Sequence, residues 1–253
     1  VSPSVQPRRS VLDQPVGDWR GPSHAIVSLA RRDPNAADWR SMLERLAQHR
    51  VWQVRMYAAR AAAFVRDANG REEPASARTD LLETLAADAN ANVREAALTS
   101  LARVRGHQAD AVYIKALDKP DAQVVIAACR ALGGTSDRGA SAEALLGGLK
   151  TMTAPHQDTS RDARLAILNR LREVADVVHA EALKPYLSDL DPKIAVLAAE
   201  VLTKLTGQTH RAATTSLTPL PLPPAATLRN LPPMLRITMA SGRAFDVRLF
   251  VVE

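Results

Sequence analysis

The chain of 253 residues has a single cysteine, Cys129, and aromatic residues make up only 4% of it. One cysteine cannot form a disulfide within the chain, and it excludes a metal site built from several thiolates. No run of 18 apolar residues occurs, so we predict no membrane-spanning helix. Hydrophobic residues still reach 46%, mostly as Ala, Leu and Val. This composition favours closely packed helices over a β-sandwich.

The chain also lacks a dense cluster of charge of one sign. Its formal net charge is +6, spread over 33 basic and 27 acidic residues. An excess of this size draws a protein only weakly to anionic partners. It falls short of the basic stripe expected of a dedicated nucleic-acid-binding protein.

One short pattern recurs along the chain: an apolar residue often followed by Arg, then paired small or apolar residues, then Leu. The copies are 39, 31, 39 and 31 residues apart, which fits a repeated unit of two helices. Each copy is predicted to begin the second helix of a pair, and its first residue is Val54, Val93, Val124, Ala163 or Ile194. The first helices are predicted at Trp39–Gln48, Arg78–Ala87, Asp110–Leu117, Ala140–Lys150 and Val178–Leu187.

Polar turns separate the two helices of a pair, as at Asp88–Asn92 and Asp189–Pro192. Asp and Asn in such turns can accept hydrogen bonds from the free backbone N–H groups of the next helix. The stretch Asp88–Val104 resembles the second-helix signature of bacterial HEAT repeats, and the resemblance covers about residues 23–206. It implies an all-α fold, a right-handed α-solenoid of about five HEAT-like helical pairs, preceded by an extended segment over 1–22. In that family the curved stack offers a long surface to proteins or, less often, to nucleic acid.

The composition changes after Leu205. Six prolines lie between residues 207 and 234, which predicts a Pro-rich linker, because proline at this density cannot continue a helix. Over 235–253, apolar and polar residues alternate on both sides of Ser241-Gly242, which predicts a β-hairpin.

The hairpin, over Arg236–Phe250, resembles the opening strands of cyclophilin-type peptidyl-prolyl isomerases. The chain departs from that family at Met239, where a Thr is usual. The resemblance implies that this chain is a fragment of a larger protein in which an isomerase domain, truncated here, needs no cofactor. The family's catalytic Arg and proline pocket would lie beyond Glu253, so no residue here inherits a catalytic role.

We predict no catalytic, cofactor-binding or metal-binding residue within the chain. The six histidines have no metal-ligand spacing. Cys129 follows two alanines in a predicted helix, which indicates a small buried hydrophobic residue rather than a nucleophile.

Four residues form a candidate interaction surface: Arg55, Arg94, Trp52 and Trp39. The two arginines occupy equivalent positions in neighbouring repeats, where they could contact an acidic ligand. Alternatively, each pairs with the Asp of the adjacent interhelical turn, for which Asp88 is a candidate, and forms a ladder along the stack. The tryptophans could stack on bases, or they could cover the terminal end of the core.

The sequence therefore predicts a non-catalytic scaffold that binds a protein partner or client. The alternative is a nucleic-acid-binding, DNA-glycosylase-like helical-repeat protein, and a HEAT protein that acts as a lyase on a bound chromophore is a third possibility. By analogy with fused isomerases the compartment would be the bacterial cell envelope or the cytoplasm, and the sequence does not choose between them.

Overall fold

The computed structural model describes residues 19–35, 39–66, 77–119, 121–154, 160–213, 234–239 and 241–248. The chain divides into two compact units, Val1–Thr215 and Ser216–Glu253, and each is described by itself. Residues 1–18 of the predicted extended segment, 214–233 of the predicted linker and 249–253 of the predicted hairpin lie outside the described residues.

The first unit is an all-α solenoid. Its α-helices in chain order are α1 Arg20–Arg32, α2 Trp39–Ala47, α3 Trp52–Ala62, α4 Ala77–Ala86, α5 Ala91–Arg105, α6 Asp110–Ala116, α7 Ala122–Ala131, α8 Arg138–Thr153, α9 Arg161–Val174, α10 Ala180–Leu183 and α11 Pro192–Thr206. Short 3₁₀ helices span Gly106–Ala109, Val177–His179 and Lys184–Ser188. Within the described residues, no helix is both long and apolar enough to cross a membrane.

Five pairs of helices follow one another, from α2–α3 to α10–α11. We call the first residue of each copy of the recurring pattern its anchor: Val54, Val93, Val124, Ala163 or Ile194. Each anchor is the third residue of a second helix, so the predicted starts of all five second helices are confirmed. The second helices α3, α5, α7, α9 and α11 pack one on the next, and α1 packs on α3 ahead of them. The first helices α2, α4, α6 and α8 form a second layer in the same order.

Small residues allow the second helices to approach closely. The alanine pairs of α3, α5 and α7 are buried, and Leu and Ile side chains fill the space between the two layers. Fully burying one such Leu or Ile side chain contributes about 1.5–3 kcal/mol. The fully buried large side chains include Leu82, Leu98, Leu101, Leu117, Leu145, Leu149, Ile167 and Leu168.

Polar turns begin the second helices as the sequence predicts. The side chain of Asn90 accepts a hydrogen bond from the backbone N–H of Asn92 at 3.0 Å, and that of Asp191 accepts one from Lys193 at 2.9 Å. These contacts satisfy donors that have no partner within their own helix. Asp121, at the start of α7, makes no such contact and instead pairs with Arg94.

Both ends of the solenoid differ from the sequence prediction. Helix α1 already begins at Arg20, so the extended segment predicted over 1–22 is too long by three residues. The predicted helix Val178–Leu187 is a 3₁₀–α–3₁₀ series instead. Pro185 is the cause, because it has no N–H with which to continue the α-helical hydrogen-bond pattern.

The first residues of the predicted linker fold back onto the last pair. Gly207 ends α11 with φ of +70°, a left-handed conformation that glycine adopts without strain. The backbone N–H of His210 then donates to Thr203 Oγ1 at 3.0 Å, and that of Ala213 donates to the carbonyl of Leu187 at 2.8 Å. Residues 207–213 therefore contact the solenoid, unlike an extended linker.

The second unit contains a β-hairpin, as predicted, with strands β1 Met234–Thr238 and β2 Ala244–Arg248. They are antiparallel, and their register pairs Arg236 with Asp246. Gly242 has φ of +79° in the connecting turn. Strand β1 starts one residue earlier than the predicted boundary at 235.

Candidate functional site

Arg55, on α3, connects two successive interhelical turns. Its Nε and Nη2 donate to the two carboxylate oxygens of Asp88 at 2.7 and 2.9 Å. Its Nη1 donates to the backbone carbonyl of His49, in its own turn, at 2.7 Å. Of the two roles that the sequence left open for this arginine, the structure shows the contact with the Asp of an interhelical turn. A bidentate guanidinium–carboxylate contact of this kind fixes orientation as well as charge.

Arg94 and Arg164 occupy the same fourth helical position in α5 and α9. Arg94 donates to the carbonyls of Asp88 and Ala89 at 2.6 and 3.0 Å and pairs with Asp121 in the next turn. Arg164 pairs with Asp189 at 2.7 Å, and both side chains are buried. We call these three arginines and their acidic partners the arginine ladder. In α7 the fourth position is Val125, so the ladder is interrupted there.

Arginines beside the interhelical turns lower the pKa of two carboxylates, Asp88 in the ladder and Asp191 outside it. Burial raises the pKa of Asp88, but hydrogen bonds from Arg55 and from the backbone of Asn90, together with the charge of Arg94, hold it below its ordinary value. Asp191 behaves in the same way: burial raises its pKa, and the hydrogen bond from Arg161 is the largest effect lowering it. Both carboxylates are therefore charged at neutral pH.

The four residues predicted as an interaction surface do not form one exposed patch. Trp39 is 2% exposed, and its Nε1 donates to the carbonyl of Asp33 at 2.7 Å. Trp52 is half-buried against the same end of the core. Arg55 and Arg94 are held in the ladder. The contacts of Arg55 and Arg94 with the turns of neighbouring pairs are observed. A role of the four residues in binding a partner stays a prediction.

A basic cleft lies where α1, α3 and α5 end. The cavity has a volume of about 210 Å³, and we call it the arginine cleft. Phe64 stands within it, with the guanidinium carbon of Arg31 at 4.5 Å and that of Arg103 at 4.4 Å from the centre of its ring. Each such contact contributes about 0.5–1 kcal/mol at an exposed site. The cleft is lined by Arg31, Pro34, Ala63, Phe64, Arg66, Arg78, Arg103 and Val104.

Cys129 is buried in α7, as predicted. Burial raises the pKa of its thiol to about 12, an effect that the charge of Arg170 only partly offsets. A thiol with such a pKa is not a nucleophile at neutral pH. The part of the chain that the structure describes contains no group of three or more His, Cys, Asp or Glu side chains arranged to hold a metal ion.

The family model described as HEAT repeats matches residues 78–156, so this part of the chain is similar to HEAT repeats. No curated protein is significantly similar to the chain.

The matched HEAT repeats include the pairs α4–α5 and α6–α7 and the first helix of the next pair, α8. The Asp88 turn and the Arg94 position of the arginine ladder therefore lie inside them. The second helices on both sides of the match, α3, α9 and α11, pack on their neighbours as the matched ones do.

The second helices present one aligned row of exposed side chains. The ninth residue of each is exposed, and because each second helix packs on the next, these residues follow one another along the solenoid. The ninth-position row consists of Arg60, Thr99, Arg130, Asn169 and Glu200. Its charges are of both signs.

The sequence prediction missed both the ninth-position row and the arginine cleft. A signal for the cleft exists, because basic residues occupy the last turns of α1 and α5 and Phe64 follows α3. A sequence alone does not indicate that these three helix ends meet.

Proposed function

We propose that the solenoid is a non-catalytic scaffold that binds a protein partner along the exposed face of its second helices. The ninth-position row is the observation that carries this proposal, because each of the five second helices contributes one exposed residue to it. HEAT repeats are helical interaction modules, and every added pair lengthens this row.

The charges of the row favour a protein over a nucleic acid. Arg60 and Arg130 alternate with neutral residues, and the row ends at the acidic Glu200. A duplex presents phosphates of one sign along its whole length, and binding it calls for a uniformly basic stripe. The DNA-glycosylase-like alternative predicts affinity for duplex DNA that falls steeply as salt increases, so a salt titration tests it directly.

Site-specific photo-crosslinking tests the scaffold proposal. A photoreactive amino acid at Asn169, in the row, is compared with one at Lys150, which is exposed on the first helix α8. We expect a partner protein in a cell extract to crosslink at Asn169 and not at Lys150. Substituting Arg60, Arg130 and Glu200 together by alanine should remove that crosslinked product. Equal crosslinking from both positions would contradict the proposal.

We further propose that the β-hairpin is the start of a cyclophilin-type isomerase unit. Its antiparallel strands match the resemblance, and the apolar side chains of Ile237 and Phe245 are exposed on it. A hairpin of two strands is only marginally stable by itself, and further strands would cover these side chains. The test is the coding sequence after Glu253, followed by a prolyl-isomerase assay on the extended protein. A continuation without further strands, or an inactive extended protein, argues against the isomerase.

A further inference from the structure

We propose that the arginine cleft is a binding site for one oxyanion, the phosphate or carboxylate group of an acidic ligand. The proposal is independent of the protein scaffold, because it concerns the ends of α1, α3 and α5 and not the ninth-position row.

Two arginines without an ion pair among the described residues are the first support. Arg31 and Arg103 are both exposed, and both contact the Phe64 ring, so their guanidinium carbons are no farther apart than the two ring distances combined. Within the described residues, neither arginine forms an ion pair. Two like charges near each other repel, and an anion bound beside them reduces the repulsion.

The backbone of the cleft opposes an anion only in part. The C-terminal end of a helix carries about half a negative charge, and three helices end here. Hydrogen bonds reduce this effect, since the backbone N–H of Asp33 donates to the carbonyl of Leu29 at 2.9 Å and that of Phe64 donates to Ala61 at 2.9 Å. Four arginines line the cavity, so their charge exceeds that of the three helix ends.

Contacts between neighbouring segments hold the cleft in place. The backbone N–H of Arg66 donates to the carbonyl of Pro34 at 2.9 Å, which joins the segment after α3 to the segment after α1. The guanidinium of Arg78, on α4, donates to the carbonyl of Val65. These contacts hold the cavity walls in place without a ligand. A pre-formed site loses less conformational entropy on binding a ligand than a flexible site does.

The side chains determine the class of ligand. A guanidinium presents parallel N–H donors that match two oxygens of one carboxylate or phosphate. A cavity of about 210 Å³ has room for such a group together with the atoms that attach it to a larger molecule. The cleft is open to solvent through Arg31 and Arg103, so the group can belong to a small molecule or to an acidic side chain.

Isothermal titration calorimetry on the full chain tests the site. The probes are inorganic phosphate and citrate, at low ionic strength, with sodium chloride of equal ionic strength as the reference. We expect saturable binding in the millimolar range or tighter, and about tenfold or greater weakening in the variant Arg31→Gln/Arg103→Gln, which loses two charge-assisted contacts. Phosphate binding without citrate binding would assign a phosphate ligand, and the reverse a carboxylate ligand.

Two further variants separate the cleft from general charge. Arg45→Gln removes an exposed arginine from the last turn of α2 and lies outside both the cleft residues and the ninth-position row, so it should leave binding unchanged. Phe64→Leu keeps an apolar side chain but removes the ring that positions both arginines, so it should weaken binding. Circular dichroism verifies that every variant is folded.

Three outcomes would overturn the proposal. The first is the absence of saturable binding of either probe. The second is binding that Arg31→Gln/Arg103→Gln and Arg45→Gln weaken equally. The third is binding of duplex DNA without binding of phosphate or citrate, which would make these arginines part of a nucleic-acid surface.

Discussion

The bidentate contact between Arg55 and Asp88 allows the energy of one ladder step to be measured. The side chains are 17% and 10% exposed, so the pair lies between a surface ion pair, which contributes about 0.2–1 kcal/mol, and a buried pair, whose disruption costs about 3–5 kcal/mol. We expect a coupling energy of about 2 kcal/mol from a double-mutant cycle of Arg55→Met and Asp88→Asn. Asp88→Asn preserves Oδ1, which accepts from the backbone of Asn90 and from Arg55 Nη2, so the cycle measures the carboxylate charge and the contact of Oδ2 with Arg55 Nε.

The assay is urea unfolding of the full chain, followed by circular dichroism at 222 nm. Both the midpoint and the slope must be compared, because a repeat array can lose two-state behaviour when one junction is weakened. Asp88→Ala should destabilise the protein by about 1 kcal/mol more than Asp88→Asn, since it also removes the hydrogen bond to Asn90.

The hairpin supplies a matched control for this cycle. Arg236 donates to both carboxylate oxygens of Asp246 at 2.8 and 3.0 Å, a geometry close to that of Arg55 and Asp88, but this pair is exposed to solvent. Asp246→Asn should leave the unfolding midpoint of the solenoid unchanged. A coupling energy below about 0.5 kcal/mol for Arg55 and Asp88 would refute the view that the ladder stabilises the junctions.

Three further predictions concern the same unfolding transition. The pKa of Asp191 is lower in the folded protein than the unfolded value of about 3.9. The ionised carboxylate therefore contributes its full stabilisation above that pH, and this contribution is lost as the pH falls through the folded pKa. The free energy of unfolding, measured at pH 7, 4 and 3, should fall less for Asp191→Asn than for the wild-type chain. Arg164→Met leaves Asp189 buried without its cation and should destabilise by about 3–5 kcal/mol, and a smaller loss than for Arg55→Met would contradict the effect of burial. The Cβ added by Gly147→Ala meets no atom within 4 Å, so this variant should stabilise α8 by about 0.5–1 kcal/mol. Gly148→Ala places a Cβ 3.4 Å from the carbonyl oxygen of Leu117 and should stabilise less. A larger rise in melting temperature for Gly148→Ala than for Gly147→Ala would contradict this.

The fold was predictable because its signals are local. Each anchor, such as Val93, shares one helical turn with the alanines that pack beside it, and Asn90 caps the helix that it precedes. That an arginine at this helical position contacts the Asp of an interhelical turn was also predictable, but the pattern did not decide whether Arg55 or Arg94 pairs with Asp88. In the last pair the residue pattern of a helix is present, but the missing N–H of Pro185 decides the local structure.

The candidate surfaces were less predictable, because they depend on contacts between distant segments. Arg31, Phe64 and Arg103 come from three different helices or their ends, and only the packing of α1, α3 and α5 brings them together. The acidic partner of Arg94 could not be assigned from the pattern. Asp121 occupies a helix-capping position, but its side chain pairs with Arg94 instead of capping the helix. Trp39 was predicted both as an interaction residue and as cover for the core, and its burial supports the second role.

The interruption of the arginine ladder at Val125 changes where polar contacts join the second helices. Among the described residues, the polar contacts between α7 and α9 lie at the ends of the helices away from the interhelical turns: Arg170 donates to the carbonyl of Cys129 at 2.8 Å, and the backbone N–H of Gly134 donates to Glu173 at 2.7 Å. The described ion pairs at α3–α5, α5–α7 and α9–α11 therefore oppose bending that separates the interhelical turns, whereas the described polar contacts at α7–α9 oppose bending in the other sense.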